Sequence, residues 1–325
     1  MRPTSRRAVL TSVAAVAGLP LLNDLAGRGH TATAAPAAPA APTAVPQPSY
    51  ASYTDLFNRK LHTEGKHWAR RFRRVPFELI DNASATSEPI RSTAIIAPHG
   101  GGIEDGTSEL CLAIAGYTLT GSGATPPAPL PGVPQRDYWM FEGLEDSKNL
   151  HVTSTLCDDP AALHICGSSM YAVSVHGFDD GDAAKKIIIG GAAEDPDNPD
   201  LNHPVPGRPD KPLQLKKNLR AALARHYAAG GSDPARAVEI VIASPGHRLD
   251  GDDPDNIVNR TRTGFGAQLE ISRGLRTAMF GDITSAAARR STAGVGTRDE
   301  SYFWNGFVNA VREAVDDYER GIVTA

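Results

Sequence analysis

Short apolar runs that end at glycine-rich turns constrain the fold of this chain more than any other feature of its sequence. Residues 93–97 form one such run; Gly100, Gly101 and Gly102 follow it, and helical character begins at Thr107. Strand, turn and helix in this order are the building unit of an α/β sheet. The same reasoning predicts further strands at residues 150–156, 171–175, 186–189, 238–243 and 267–271.

Two longer segments have the composition and spacing of helices. Residues 213–229 are rich in Leu, Lys and Ala, and the apolar positions within residues 301–320 recur at helical spacing, as is typical of packing against a core. Residues 193–212 are dense in Asp, Asn and Pro without periodicity, which predicts a functional lid or a mobile excursion. Because no repeat and no later linker is evident, residues 51–325 are predicted to form one α/β domain that ends in a helix.

The N-terminus does not have the pattern of a globular segment. Arg6 and Arg7 precede an apolar run at residues 12–22, which is typical of a twin-arginine export signal with a small-residue cleavage site. The run is about half of the ~20 residues that span a bilayer, so we expect a cleaved signal at residues 1–34 rather than stable membrane insertion. An Ala/Pro-rich disordered spacer at residues 35–50 would follow, and the mature protein would be secreted.

Charge and cysteine content narrow the classes of function. A formal charge of −4 provides no basic field, which argues against nucleic-acid binding. Of the three cysteines, Cys157 and Cys166 are the nearest pair. Because twin-arginine export carries folded chains, a disulfide between them is about as plausible as three buried thiols. The absence of any Cys-x-x-Cys motif disfavours a cysteine-ligated zinc site, and we expect a soluble monomer.

Two predicted strands end in a histidine beside glycine. His99 precedes three glycines and lies five positions before Glu104, and His176 follows the run at residues 171–175. Sites in open α/β sheets gather at the carboxyl ends of strands, and the glycines let the chain turn so that Glu104 can reach the same ion as His99. Two imidazoles and a carboxylate, with one open position, form a catalytic zinc site. His99, Glu104 and His176 are therefore predicted to bind one Zn²⁺.

A carboxylate and a guanidinium complete the predicted active site. Glu270 lies among apolar neighbours at residues 267–271, and because a buried carboxylate requires a cavity or a partner, we predict that it is the general base. Arg260 is the predicted clamp for a substrate carboxylate or a developing oxyanion. Each of these residues alone has a structural interpretation, and their joint occurrence favours the catalytic one.

Other polar residues receive structural interpretations. His151 has no ligand geometry that the sequence supports and is predicted to be structural. The acidic run at residues 250–255 lacks EF-hand spacing, which indicates a solvated turn. His-Gly-Gly-Gly is also an oxyanion motif of esterases, but no Gly-x-Ser-x-Gly is present, and Pro245 after Ser244 removes the N–H that would bind the oxyanion. A serine hydrolase is therefore the weaker alternative.

A set of short motifs occurs in order over residues 53–280. They are His-Gly-Gly-Gly-Ile-Glu from His99, Phe-Glu-Gly from Phe141, Leu-His-Val-Thr-Ser-Thr from Leu150, Ser-Val-His-Gly from Ser174, Ile-Gly-Gly from Ile189, Asn-Ile-Val-Asn-Arg from Asn256 and Gln-Leu-Glu-Ile-Ser from Gln268. Together these motifs resemble the poly-γ-glutamate hydrolase family of phages and bacilli.

That resemblance implies a zinc-carboxypeptidase-like α/β fold, with an open mixed β-sheet flanked by helices and one zinc ion. It also implies endo-type hydrolysis of γ-glutamyl amide bonds in an anionic capsule polymer. On matching positions the three predicted ligands carry over, with Glu270 as base and Arg260 as a substrate contact. Three features are not part of the family pattern: the export signal, the excursion at residues 193–212 and the C-terminal helix. They leave the identity of the substrate undetermined. The alternatives are a cell-wall peptide amidase, endopeptidase or carboxypeptidase, and a non-catalytic carboxylate-binding protein of phage origin.

Overall fold

The computed structural model describes residues 50–75, 91–119, 125–179, 181, 183–192, 204–205, 208–212, 215–228, 233–295 and 298–320. The signal and spacer predicted at residues 1–34 and 35–50 lie outside this part of the chain, Tyr50 excepted. No helix within the described ranges is both long and apolar enough to cross a membrane.

Seven helices and nine strands occur in these ranges. The helices are α1 (Tyr53–Asn58), α2 (Thr107–Ile114), α3 (Pro160–Ser168), α4 (Leu215–Ala228), α5 (Arg273–Met279), α6 (Ala286–Thr292) and α7 (Arg298–Glu319). The strands are β1 (Trp68–Arg73), β2 (Thr93–Gly101), β3 (Tyr138–Gly143), β4 (Tyr171–Phe178), β5 (Lys186–Gly190), β6 (Pro204–Val205), β7 (Arg208–Pro212), β8 (Glu239–Ile242) and β9 (Ala267–Ser272).

Seven strands form one mixed sheet in the order β1-β3-β2-β4-β9-β5-β8. The pairs β1–β3 and β5–β9 are antiparallel, and the other neighbours are parallel. This arrangement confirms the predicted α/β fold with an open mixed sheet. Because β3, β2, β4 and β9 run in the same direction, their carboxyl ends meet at one edge, which is called the carboxyl edge below. Within the excursion predicted at residues 193–212, β6 and β7 form a separate antiparallel pair.

Apolar side chains cover both faces of the sheet, as expected for continuous apolar strands in an α/β protein. Along β2, Ile95 and Ala97 point to the first face, which packs against α2, α4, α5 and α7. Ala94 and Ile96 point to the second face, which packs against α1, α3 and the segment at residues 150–157. The apolar stripe predicted in the C-terminal helix is confirmed, because its members are buried in the first core: Phe303, Phe307, Val311 and Val315.

The strand predicted at residues 150–156 is wrong. Leu150 and Val152 are buried and His151 between them is exposed, so the segment alternates as a strand would. The segment crosses the second face of the sheet, however, and it pairs with none of the described strands before a 3-10 turn at Ser154–Leu156. The three cysteines are buried free thiols, so the optional disulfide between Cys157 and Cys166 is not formed.

Candidate active site

A glycine turn after β2 brings Glu104 back towards His99. The Glu104 N–H donates to the His99 carbonyl over 3.0 Å and closes the turn. Gly101 has φ +67°, and a Cβ there would lie 2.3 Å from the carbonyl oxygen of Gly143. Only glycine fits both the left-handed backbone and this close approach to β3. The local sequence therefore determines that the carboxylate and the imidazole share one end of the strand.

A β-bulge in β2 sets the face on which His99 lies. Ala97 pairs with Met140 and Gly100 pairs with Glu142, so β2 contains one residue more than β3 over this interval. Strict alternation from Ala97 would carry position 99 to the first face of the sheet. The extra residue turns the imidazole to the second face, because a bulge re-aims the side chains beside it. His99 Nε2 there donates to the Val152 carbonyl over 2.8 Å.

The three predicted zinc ligands converge at the carboxyl edge. His99 Nδ1 lies 2.7 Å from Glu104 Oε1 and 3.1 Å from His176 Nδ1. His176 Nδ1 lies 3.5 Å from Glu104 Oε2, and all three side chains are largely buried. The second ring nitrogen of His176 lies 3.4 Å from Ser154 Oγ. Both imidazoles therefore direct Nδ1 at the carboxylate and engage Nε2 elsewhere.

The charges of this cluster suit a cation. Burial opposes the ionisation of Glu104, but the neighbouring His99 and His176 outweigh it and hold the pKa of Glu104 well below its usual range. Burial lowers the pKa of His99 against the opposing effect of Glu104. Burial also opposes protonation of His176, but Glu104 and then Glu270 outweigh it and raise the pKa of His176. Metal ligands must be deprotonated, so a bound dication would displace the proton that His176 favours.

Glu270 lies beside His176 in the register of β4 and β9. Gln268 Nε2 donates to Glu270 Oε1 over 3.0 Å. Burial raises the pKa of Glu270 to about 7, Glu104 adds to the increase, and His176, Arg248 and Arg276 oppose it. A carboxyl group with a pKa near neutrality can both accept and return a proton, which is the property that general acid–base catalysis requires.

His151 belongs to this cluster although the sequence predicted a structural role for it. Its ring centroid lies 3.9 Å from that of His99, and its Nε2 lies 3.6 Å from Glu104 Oε1. His99, Glu104 and His151 each provide one donor atom, and these three atoms lie within 4.8 Å of one another. This spacing could hold a metal ion. The His151 side chain is 49% exposed, whereas that of His176 is 4% exposed. The only sequence signal for this placement was its position inside a motif of the resemblance.

Arg260 is not brought together with the other predicted residues. It follows a 3-10 turn at Ile257–Asn259, its side chain is 43% exposed, and its Nη1 lies 3.7 Å from Asp255 Oδ1. The arginines whose charge lowers the pKa of Glu270, against the larger effect of burial, are Arg248 and Arg276. The role of Arg260 as an anion clamp stays a prediction.

A family model described as poly-γ-glutamate hydrolase matches residues 78–124, 132–199 and 220–303, which together exceed half of the chain. This chain belongs to the poly-γ-glutamate hydrolase family. The predicted resemblance is thereby confirmed, and every site residue named above lies within the matched ranges.

Relatives and solved structures of this family are similar over most of the domain. YndL of Bacillus subtilis (strain 168) is 29% identical over 65% of this chain, and YmaC of the same organism is 30% identical over 58% of it. The chain spans 65% of YndL and 60% of YmaC, which is less than two thirds of either relative. A bacteriophage poly-γ-glutamate hydrolase structure is 26% identical with a TM-score of 0.54, over 83% of this chain and 97% of that one. The zinc-free form of YndL has the same TM-score at 23% identity, over 81% and 96% of the two chains, and shows the shared fold.

Arg276 ties the segments of the site to one another, and sequence reasoning missed it. Its guanidinium donates to three carbonyl groups: that of Ile271 in β9 over 3.2 Å, that of Phe178 in β4 over 3.3 Å and that of Asp105 in the glycine turn over 2.7 Å. Gly177 allows this contact, because a Cβ there would lie 2.5 Å from the guanidinium carbon. Arg276 therefore fixes the relative positions of the strands that carry His176 and Glu270 and the turn that carries Glu104.

Proposed function

We propose that this protein is a zinc-dependent hydrolase of γ-glutamyl amide bonds that acts on poly-γ-glutamate. The observation that carries the proposal is the convergence of His99, Glu104 and His176 at the carboxyl edge, with a buried Glu270 of raised pKa beside them. Export through the twin-arginine pattern is part of the proposal, because a capsule polymer lies outside the cell.

The donor atoms fit zinc in kind and in spacing. The two Nδ1 atoms lie 3.1 Å from each other, that of His99 lies 2.7 Å from Glu104 Oε1, and that of His176 lies 3.5 Å from Glu104 Oε2. The ligand atoms of a tetrahedral zinc site are about 3.3 Å apart. The second nitrogen of each imidazole is engaged, by the Val152 carbonyl and by Ser154 Oγ. Such outer partners fix the tautomer and the ring orientation of zinc-bound histidines. We therefore assign His99, Glu104 and His176 as the ligands.

His151 is the competing third imidazole. We assign it to substrate contact, because it is half exposed whereas His176 is buried, and because its ring covers His99 on the open side of the cluster. A catalytic zinc site has three protein ligands and one open position, and a fourth protein ligand would close it.

Zinc bound at these residues would polarise the scissile carbonyl and lower the pKa of a water molecule to about 7. Gln268 engages Glu270 Oε1, so we assign proton transfer to Oε2. Glu270 takes a proton from the attacking water as the water oxygen bonds to the amide carbon. It then gives that proton to the departing nitrogen as the C–N bond breaks, which releases a γ-carboxylic acid and an amine and leaves Glu270 ionised again. The acid gives its remaining proton to the amine or to solvent.

The comparisons support the substrate class. A solved structure at 26% identity is a bacteriophage poly-γ-glutamate hydrolase, and YndL, a 29% identical relative, has been studied in a zinc-free form. Poly-γ-glutamate is a polyanion, and cell-wall peptides that contain γ-glutamyl bonds are the second candidate substrate of an exported enzyme.

Chelator treatment, zinc reloading and product sizing test the proposal. We expect about one zinc per chain after reloading, shortening of poly-γ-glutamate by the reloaded protein, and no shortening by the stripped protein. Failure to bind zinc would contradict the metal assignment. Cleavage of muropeptides without cleavage of the polymer would assign the enzyme to the cell wall instead.

A further inference from the structure

We propose that Arg248 forms a subsite for the free α-carboxylate of the γ-glutamyl residue at the scissile bond. The inference rests on the proposed function and deepens it, because it names the group that recognises the substrate. In a γ-linked chain every residue keeps one free α-carboxylate close to the amide that is cut. An enzyme that reads this group distinguishes γ-glutamyl bonds from ordinary peptide bonds.

The loop that carries Arg248 is held by backbone hydrogen bonds. It follows β8, and within it the His247 N–H donates to the Ser244 carbonyl over 3.0 Å and the Asp250 N–H donates to the His247 carbonyl over 2.9 Å. The Asp250 carbonyl in turn accepts from the Gly191 N–H at the end of β5. The backbone on both sides of Arg248 is therefore held in place.

The same loop adjoins the base. Gly251 packs against the Gln268 side chain, where a Cβ would lie 2.8 Å from the amide carbon. Asn256 Nδ2 donates to Gln268 Oε1 over 2.9 Å, and Gln268 donates to Glu270. This hydrogen-bonded series connects the loop of Arg248 to the carboxylate of Glu270. The positive charge of Arg248 lowers the pKa of Glu270, although burial raises it more.

Arg248 is available to a ligand, unlike the other arginines near the site. Arg248 is exposed, and it forms no hydrogen bond and no ion pair with the described residues. Arg276 is buried and donates to three carbonyl groups, and Arg260 lies beside Asp255. An arginine without a partner can form the paired hydrogen bonds that carboxylates favour.

Charge balance also calls for a cation here. A bound zinc ion would compensate Glu104, but ionised Glu270 beside the scissile bond would repel a substrate carboxylate. The two imidazoles of the predicted site are directed at Glu104, so they do not compensate Glu270 towards the substrate. In this proposal Arg248, whose charge acts on Glu270, offsets that repulsion.

The test compares two arginines on two substrates. Arg248→Gln, Arg248→Lys, Arg260→Gln and, as a matched control, Arg220→Gln on the exposed surface of α4 are assayed on γ-glutamyl oligomers. One oligomer keeps its α-carboxylates free, and in the other they are converted to amides. Zinc content and thermal unfolding are measured for each variant, and binding of the uncleaved oligomer is measured by calorimetry in the Glu270→Gln background.

We expect Arg248→Gln to raise KM for the free-carboxylate oligomer about ten- to a hundredfold, with kcat changed only a few fold, because a charge-assisted hydrogen bond is lost. KM for the amidated oligomer should barely change, so the preference of the wild type for free carboxylates disappears. Arg248→Lys should recover part of that preference, and Arg220→Gln should retain all of it. Binding to the Glu270→Gln protein should weaken by the same factor.

An unchanged KM and an unchanged carboxylate preference in Arg248→Gln would overturn the subsite. Loss of both in Arg260→Gln but not in Arg248→Gln would overturn it too, in favour of Arg260. These outcomes leave the proposed hydrolysis standing, because the wild type still cleaves the oligomer. Absence of cleavage and of binding by the zinc-loaded wild type would instead overturn the proposed function and the subsite together.

Discussion

Two buried carboxylates, Glu319 and Glu270, have different partners. Glu319 lies where β2 begins, and Glu270 lies in β9, towards the carboxyl edge. The side chain of Glu319, at the end of α7, is 1% exposed. It accepts from Arg136 Nη2 over 3.0 Å and from the N–H groups of Ser92 and Thr93 over 2.9 and 3.0 Å. Glu270, at 5% exposure, accepts from the neutral amide of Gln268.

The difference separates a structural carboxylate from a reactive one. Glu319 has a guanidinium and two backbone donors, so its charge is matched where the helix meets the start of β2. Glu270 is buried, no cation among the described residues is hydrogen-bonded to it, and burial raises its pKa to about 7. Catalytic groups occupy sites where a charge is left incompletely compensated, whereas structural ion pairs compensate it. Four predicted effects test or sharpen this contrast.

The largest expected effect is on catalysis at Glu270. Glu270→Gln should lower kcat about a thousandfold or more, because the general base is lost, while zinc stays near one per chain. Steady-state kinetics and metal analysis measure the two quantities. Glu319→Gln should keep normal turnover per folded molecule. Loss of zinc from Glu270→Gln would show that this carboxylate holds the metal and does not act as the base.

The second effect concerns zinc affinity at the two candidate imidazoles. His176→Ala should weaken zinc binding about a thousandfold, because a ligand within the buried cluster is removed. His151→Ala should weaken it about tenfold or less, since this residue is assigned to substrate contact. Competition against a chromogenic chelator gives both dissociation constants. The reverse order would make His151 the third ligand and remove His176 from the shell.

The third effect is on stability at the matched carboxylate. Glu319→Gln should lower the free energy of unfolding by about 3–4 kcal/mol, because it removes one of the two charges that pair with the buried Arg136, Asp316 being the other, and weakens the acceptor of the Ser92 and Thr93 N–H groups. Denaturant unfolding of the metal-free protein measures the change. Glu313→Gln is the matched control on the same helix, where a carboxylate with a 38% exposed side chain pairs with Arg225 and the change should be about 1 kcal/mol or less. Equal effects of the two substitutions would contradict the contrast.

The smallest effect is a gain in stability at the unmatched carboxylate. A pKa raised to about 7 means that the folded state binds the proton more tightly than the unfolded state, so stability falls as pH rises from the unfolded pKa through about 7. Glu270→Gln removes this cost and should stabilise the metal-free protein at pH 8 by about 3 kcal/mol, and by little at pH 4. Thermal unfolding across this pH range measures it. A gain that does not depend on pH would contradict the raised pKa.

Much of the fold was predictable because its signals are local. Strands buried on both faces appear in the sequence as apolar runs, as in β2, β4, β5 and β9. A helix buried on one face appears as an apolar stripe, as in α7. The segment at residues 150–156 shows the limit of that reasoning. Its alternation reflects burial against the second face of the sheet, and burial alone does not tell whether a neighbouring strand completes the hydrogen bonds.

The site was predictable in the part that the strands arrange. Parallel strands bring their carboxyl ends together, so His99 and His176 could be grouped from their positions after apolar runs, and Glu270 from its position within one. The contributions of His151 and Arg276 could not, because each reaches the site from a loop or helix whose path depends on tertiary packing. No spacing in the sequence distinguishes Arg248 from Arg260, although the structure gives them different surroundings.

The bulge in β2 makes the site depend on the local backbone path as well as residue identity. If Ala97–Gly100 kept their length but adopted regular pleating, His99 would point to the first face, among the helices. The chain would retain every ligand type and most of its hydrophobic core, yet the imidazole would be on the wrong side of the sheet. A transplanted site must therefore copy the irregular strand together with the residues on it.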